Sequence, residues 1–177
     1  MKPFPANLSS DEFRVLGVDT SLRNTGLGVV ALRGNAMVGL WHDTVHIPSN
    51  RPLTTCLLTL QQAVAQTIAE MSPAAVAVEG IFCGKFVKTA TLLGHARGVV
   101  LVAAAAAGLP VYEYEPTRVK QAVVGTGTAV KAQMQLMMRS LLHLEETPAE
   151  DEADALAIAM CHLHNMGSFN IRPPKTL

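Results

Sequence analysis

A short apolar strand that ends in a carboxylate constrains this chain more than any other feature. Residues 15–18 are apolar apart from one glycine, which is typical of a buried β-strand, and Asp19 follows them directly. The polar residues 20–24 predict a turn, and residues 26–30 predict a second strand that folds back on the first. A buried carboxylate must be hydrogen-bonded, paired or bound to a metal ion. Asp19 therefore either binds turn amides at the end of the strand or contributes to a charged site.

The rest of the chain alternates between helical and strand patterns. Short apolar runs bounded by turn residues predict strands, and apolar residues spaced three or four apart predict helices. Further strands are predicted over residues 37–47, 75–79 and 111–114, and helices over residues 53–71, 89–107, 116–123, 128–142 and 148–164. Three sequential strands joined by short turns form an antiparallel meander, and the strand–helix–strand units that follow favour parallel pairing. We therefore expect an α/β fold with a mixed five-stranded sheet flanked by helices.

Length and composition indicate one well-packed domain. The 177 residues are 49% hydrophobic and 16% charged, which excludes a disordered chain. A chain of this length buries about 70% of the surface that it exposes when unfolded. We expect a flexible arm over residues 1–13, the domain over residues 14–166 and a tail over residues 167–177.

The cysteines and the apolar runs indicate a soluble protein of a reducing compartment. Cys56, Cys83 and Cys161 form an odd set without the spacing of metal ligands, which favours free thiols. The first dozen residues lack the apolar run of a secretory signal, and the longest apolar run, residues 99–111, is too short to span a bilayer. We expect a cytoplasmic protein with no membrane association.

Three further carboxylates join Asp19 as candidate site residues. Glu79 closes another apolar strand, and Asp151 and Asp154 stand three apart on one face of the last predicted helix. Acids at a helix start also favour the macrodipole, but the apolar residues around Asp154 suit a solvated helix poorly. Four converging carboxylates would repel each other unless cations lay between them, and hard oxygen ligands select Mg²⁺ or Mn²⁺. Two such ions, about 3.5–4 Å apart, activate water for phosphodiester attack.

Charge is segregated along the chain although the net charge is zero. Residues 80–139 contain seven basic residues and two acidic ones, and residues 140–160 contain six acidic residues and no basic one. A basic stripe beside an acidic cluster is what a phosphate track leading to a metal site would look like. Such segregation also arises by chance on soluble surfaces.

The chain resembles the RuvC-type Holliday junction resolvases, which belong to the ribonuclease H-like superfamily. The resemblance covers roughly residues 14–164 and is strongest in residues 78–82, 93–98, 119–127 and 151–159. It implies the ribonuclease H-like fold and two Mg²⁺ or Mn²⁺ ions per active site. The implied metal-binding and catalytic residues are Asp19, Glu79, Asp151 and Asp154.

The resemblance and the basic stripe together predict a DNA-binding surface. Phe82 matches an aromatic residue that stacks on a base, and Lys120 and Lys131 match lysines near the scissile phosphate. The predicted DNA-binding residues are Phe82, Lys85, Lys88, Arg97, Arg118, Lys120 and Lys131. From the residues alone, Phe82 could instead anchor its loop, and each lysine could be a solvated surface charge.

The predicted activity is metal-dependent resolution of four-way DNA junctions by paired symmetric nicks. Water attack should leave 5′-phosphate and 3′-hydroxyl ends, in DNA recombination and repair. One active site per chain and two symmetric cuts imply a two-fold homodimer. The resemblance also implies a branch-migration motor complex as a partner.

Four residues depart from the family pattern, and other functions stay open. Thr20 and Ser21 replace a Pro-Gly pair, Phe86 replaces an asparagine and Glu152 replaces a small residue. Alternatives are a nuclease of the same fold that cuts RNA or RNA–DNA hybrids, and a catalytically weak junction-binding protein. An acetate- or sugar-kinase-like ATPase would need a second nucleotide-binding half, for which 177 residues leave no room.

Overall fold

The computed structural model describes residues 1–6, 8–9, 12–80, 87–124, 131–167 and 175–177. Its strands are β1 (Phe13–Asp19), β2 (Asn24–Arg33), β3 (Ala36–His46), β4 (Ala75–Glu79), β5 (Val111–Tyr114) and β6 (Lys175–Thr176). Its helices are α1 (Leu53–Met71), α2 (Val87–Ala106), α3 (Pro116–Val124), α4 (Lys131–Leu141) and α5 (Glu150–Gly167). The predicted elements are all present, with ends shifted by a few residues.

The strands form one mixed sheet in the order β3-β2-β1-β4-β5-β6. Strands β1, β2 and β3 form the predicted antiparallel meander, and β4 and β5 add to β1 in parallel. The predicted ribonuclease H-like α/β fold is confirmed, with one addition to its five strands. Tyr112 of β5 pairs with Thr176 of β6, a two-residue strand that is too short to give a periodic sequence signal.

Each face of the sheet carries its own hydrophobic core. Leu16 and Val18 of β1 pack with buried residues of α1 and α2, whereas Val15 packs with residues of α4 and α5 on the other face. The alternation follows from the two-residue period of a strand. Because helices cover both faces, the central strands are apolar over most of their length and carry charged residues near their ends.

Glycines let α5 approach the sheet unusually closely. A Cβ atom added at Gly17 would lie 2.0 Å from the carbonyl oxygen of Ala155, and one added at Gly26 would lie 1.9 Å from that of Asp151. No side chain fits at either position, so the helix backbone rests directly on β1 and β2. This close contact, called the glycine seat of α5 below, places the first turns of α5 beside the carboxyl end of β1.

The described residues of the N-terminal arm contact the domain. The Phe4 ring stacks on Trp41 of β3 with their centroids 4.7 Å apart. The backbone N–H of Lys2 donates to the Asp43 carboxylate at 2.6 Å, and its ammonium group lies 2.7 Å from the Glu152 carboxylate of α5. The arm therefore joins the edge strand β3 to α5. The proposed domain boundaries at residues 13 and 166 stay a prediction.

Candidate active site

Asp19 and Glu79 end neighbouring parallel strands at the same edge of the sheet. Strand β1 pairs with β4 up to Val18 opposite Val78, and the two acids are the next residues of their strands. Ala77 belongs to the core on the α5 face, so Glu79, two residues later, faces α5 as well. Asp19 stands two residues after Gly17, whose missing side chain faces α5. Both carboxylates thus project toward the same helix.

Helix α5 brings the other two predicted acids to this edge. Asp151 and Asp154 lie in its first turns, where Gly26 allows the backbone of Asp151 to contact β2. Burial of Glu79 raises the pKa of its carboxyl group, and the nearby negative charge of Asp154 raises it further. The structure therefore brings a strand-end acid and a helix acid within electrostatic reach of each other.

The donor chemistry of this edge fits a divalent cation. Its ligand atoms would be carboxylate oxygens from β1, β4 and α5, the hard donors that Mg²⁺ and Mn²⁺ prefer. A cation between Glu79 and Asp154 would also relieve the repulsion that raises the pKa of Glu79. In the described part of the chain, no three acidic, histidine or cysteine side chains are close enough to enclose an ion on their own.

A hydrogen-bonded turn supports Asp19 where the family pattern has Pro-Gly. The Ser21 hydroxyl accepts from the backbone N–H groups of Arg23 at 3.3 Å and Asn24 at 3.0 Å. The Thr25 hydroxyl accepts from the Ser21 N–H at 3.3 Å and donates to the Ser21 carbonyl. Polar side chains thus replace the rigidity that proline would supply.

Lys120 of α3 is a predicted DNA-binding residue whose charge reaches the acids. Its positive charge acts on Glu79 and partly opposes the rise in the pKa of that carboxyl group. Lys120 is exposed, so its ammonium group is available to a ligand beside Glu79. Lys88 is also exposed, in the first turn of α2.

Both predicted DNA-binding arginines form hydrogen bonds with other residues of the protein. Arg97 is 7% exposed, and its guanidinium donates to the backbone carbonyl of Glu79 and to the Glu113 carboxylate. Arg118 lies over the Tyr114 ring at 5.5 Å and donates to the side-chain oxygen of Asn165. Counting charges along the sequence cannot show which cations have internal partners.

Three predicted DNA-binding positions lie outside the described residues or side chains. Phe82 and Lys85 fall between β4 and α2, in residues 81–86, and the side chain of Lys131 is likewise not described. The base-stacking role of Phe82 and the phosphate contacts of both lysines stay predictions.

Glu152 gains a structural role that the sequence pattern does not reveal. Its carboxylate is 2.7 Å from Lys2 Nζ, 2.7 Å from His42 Nδ1 and 3.0 Å from the backbone nitrogen of Ala149. Burial alone would raise the pKa of Glu152, but these hydrogen bonds outweigh it and lower the pKa to about 2. Two of the partners, Lys2 and His42, come from the arm and β3, so no local spacing links them to Glu152. The residue anchors the first turn of α5 beside Asp151.

Comparison with known proteins agrees with this architecture. A model of the family described as crossover junction endodeoxyribonuclease RuvC matches residues 15–162. The crossover junction endodeoxyribonuclease RuvC of Desulfitobacterium hafniense is 45% identical over 157 residues, covering 88% of this chain and 95% of that protein. That of Citrifermentans bemidjiense is 42% identical over 153 residues, covering 86% of this chain and 93% of the relative.

A solved relative gives the same result in three dimensions. The structure of T. thermophilus RuvC in complex with Holliday junction substrate superposes with a TM-score of 0.83 at 38% identity, covering 93% of this chain and 99% of that chain. The family match runs from β1 into α5. This chain therefore belongs to the RuvC family of crossover junction endodeoxyribonucleases.

Proposed function

We propose that this protein is a divalent-metal-dependent endonuclease that resolves Holliday junctions by paired symmetric nicks. The observation that carries the proposal is that Asp19 and Glu79 end neighbouring strands at one sheet edge, where the charges of Asp154 and Lys120 act on Glu79. Relatives at 42–45% identity are named crossover junction endodeoxyribonucleases, and the similar T. thermophilus structure holds a Holliday junction substrate. The acids supply metal ligands, and the lysine supplies a charge for a backbone phosphate.

Mg²⁺ or Mn²⁺ would be held by Asp19, Glu79, Asp151 and Asp154, as two ions per active site. When bound, the metal supplies Lewis-acid polarisation of a phosphate oxygen and lowers the pKa of a water molecule. The exposed Lys120 ammonium group would hold the phosphate next to Glu79. Attack of water on phosphorus breaks the bond to the 3′-oxygen, which takes up a proton, and leaves 5′-phosphate and 3′-hydroxyl ends.

A two-fold homodimer would supply the second active site that symmetric nicking needs. Helix α2 offers the surface, because Val87, Leu92 and Val102 are 76%, 40% and 64% exposed. Helix α2 has a mean hydropathy of 1.4, so its length and composition would also allow it to cross a membrane. The Arg97–Glu113 ion pair and the packing of α2 on α1 favour a second copy of the chain, not lipid, as the partner that covers the exposed apolar residues of α2.

A branch-migration motor complex is a further proposed partner, supported by the family resemblance alone.

The test is cleavage of a labelled synthetic four-way junction with and without Mg²⁺. We expect two symmetric nicks with Mg²⁺, none in chelator, and loss of cleavage with retained binding in Asp19→Asn. Losing such electrostatic stabilisation typically lowers the rate about 10²-fold or more. The matched control is Glu145→Gln, an exposed acid outside the site, which should cut normally.

The same assay separates the alternatives. Equal cleavage of an RNA–DNA hybrid would favour a different nuclease of the same fold. Tight junction binding without cleavage in Mg²⁺ or Mn²⁺ would favour a junction-binding protein and overturn the proposal.

A further inference from the structure

Arg97 is a buried cation whose two partners both lie at the carboxyl edge of the sheet. Arginine keeps its charge in proteins, and a buried charge is stable only when it is paired and hydrogen-bonded. Arg97 meets both conditions through the Glu113 carboxylate and the Glu79 carbonyl. A side chain 7% exposed and engaged in this way is poorly placed to bind a DNA phosphate.

The peptide group that follows Glu79 is fixed at both of its polar atoms. Its carbonyl oxygen accepts a hydrogen bond from Arg97, and its N–H, which belongs to Gly80, donates to the Tyr114 carbonyl at 2.8 Å. The backbone angles of Glu79 are thereby constrained where its side chain leaves the strand. The direction of the Glu79 carboxylate depends on these two bonds.

Glu113 holds Arg97 in position for this task. It stands opposite Val78 in the β4–β5 register, one residue before the strand end, and Val78 faces the core under α1 and α2. One Glu113 oxygen accepts from Arg97, and the other lies 3.4 Å from the Lys175 ammonium of β6. The planar guanidinium fork lets Arg97 bind a carboxylate and a carbonyl together, which a lysine does not reproduce.

We propose that Arg97 and Glu113 form a positioning pair, which fixes the end of β4 and so orients Glu79 toward the divalent cation. The inference rests on the proposed metal-dependent function. It also links α2, whose exposed apolar face is the proposed dimer surface, to a carboxylate of the active site. Arg97 acts through Glu79 and touches neither DNA nor metal.

The first experiment compares Arg97→Gln with wild type in three measurements. These are kcat on a four-way junction, the Mg²⁺ concentration giving half-maximal rate, and the salt dependence of junction binding in Ca²⁺. Loss of a residue that orients a metal ligand typically costs roughly 10–100-fold in metal affinity or activity. We expect a rate loss or a rise in the Mg²⁺ requirement of that size with an unchanged salt slope. A slope that falls by about one unit with a normal Mg²⁺ requirement would make Arg97 a phosphate contact and overturn the inference.

Matched variants separate positioning from general damage. Arg97→Lys keeps the charge but loses the fork, so it should retain part of the Mg²⁺ defect. Arg33→Gln removes another ion-paired arginine, bonded to Glu12 at 2.6 Å and remote from the acids, and should change none of the three measurements. If Arg97→Gln does not fold, Glu113→Gln tests the same pair, and a normal Mg²⁺ requirement in that variant would overturn the inference.

A thermal melt distinguishes failure of this inference from failure of the proposed function. Mg²⁺ should raise the melting temperature of the wild type by mass action, and Arg97→Gln should need several-fold more Mg²⁺ for the same rise. If Mg²⁺ stabilises the wild type but the protein cuts no junction, the proposed function is contradicted. The positioning pair can then still be tested by comparing the Mg²⁺ dependence of the melting temperature in the two proteins. Identical Mg²⁺ titrations of both proteins would contradict the positioning pair alone.

Discussion

Glu79 at the end of β4 and Asp154 of α5 lie within electrostatic reach of each other as like charges. Burial raises the pKa of Glu79, and the charge of Asp154 raises it further, while Lys120 partly opposes the two. A group whose pKa is raised by folding stabilises the fold fully below its unfolded pKa and loses that contribution as pH rises through the folded value. The metal-free protein therefore carries a repulsion at neutral pH.

Replacing Asp154 with Asn should relieve this repulsion. We expect a higher melting temperature than wild type in chelator at pH 7, by roughly 2–4 °C for each kcal/mol gained in a protein of this size. The gain in melting temperature should shrink as pH falls toward 4.5, the ordinary pKa of a glutamate, and be lost below it, because Glu79 is then protonated in both proteins. Millimolar Mg²⁺ should stabilise the wild type more than the variant. Thermal melts in chelator and in Mg²⁺ check this, with Glu145→Gln as the control.

The opposite result would assign Asp154 a structural role. If Asp154→Asn melts below wild type in chelator and Mg²⁺ shifts neither protein, the carboxylates do not form a metal site.

A second prediction concerns the anchor of α5. At pH 7, Glu152→Gln should destabilise the protein by about 1–3 kcal/mol, because it leaves buried polar partners imperfectly bonded. Lys2→Met should lower the free energy of unfolding by about 1 kcal/mol or less, since the Lys2 side chain is 46% exposed. The pKa of Glu152 is lowered to about 2, so its stabilisation is present above pH 4.5 and is lost as pH falls toward 2. Melts of the three proteins at pH 7 and at pH 3 measure this.

If Glu152→Gln lowers the stability of the protein equally at both pH values, packing and not charge holds the first turn of α5. Arg33→Gln serves as the control here, because its ion pair with Glu12 involves a half-exposed side chain away from α5.

Sequence periodicity predicts the elements and the strand ends, and these carry much of the candidate site. The apolar runs before Asp19 and Glu79 identify both strands, and the three-residue spacing of Asp151 and Asp154 identifies their common helix face. The antiparallel meander and the parallel pairing of the later strands are predicted as well. These features depend on local patterns, which a single sequence records directly.

The partners of charged side chains depend on contacts between distant segments. Arg97 and Arg118 count as basic stripe residues in the sequence, but Glu113 and Asn165 engage them inside the fold. The pairing of Lys2 with Glu152 joins opposite ends of the chain. No residue spacing encodes such pairs, so the sequence does not show which cations have partners within the protein, and it misses the anchor of α5.

A third prediction tests whether Lys120 binds DNA. Lys120→Ala should weaken junction binding for any sequence and reduce the salt slope of binding by about one unit, because it removes one phosphate contact. Binding of a labelled junction in Ca²⁺ at several salt concentrations gives the slope. The exposed Arg51→Ala removes a charge beyond the predicted stripe and should leave the slope unchanged. If Lys120→Ala and Arg51→Ala have the same slope as wild type, DNA does not pass over α3.

The last prediction concerns the glycine seat of α5. A Cβ atom at Gly26 would lie 1.9 Å from the carbonyl oxygen of Asp151 and 2.5 Å from its carbonyl carbon, so Gly26→Ala must displace the helix start. Overpacking of this kind lowers the free energy of unfolding by about 1–3 kcal/mol or more. Here it also moves Asp151, a proposed metal ligand. We expect a lower melting temperature together with a higher Mg²⁺ requirement for cleavage. Gly39→Ala is the matched control in β3, because its Cβ would meet the Leu144 side-chain end at 2.4 Å, which can move aside. If the two variants lose stability equally and keep a normal Mg²⁺ requirement, close seating of α5 on β2 does not position Asp151.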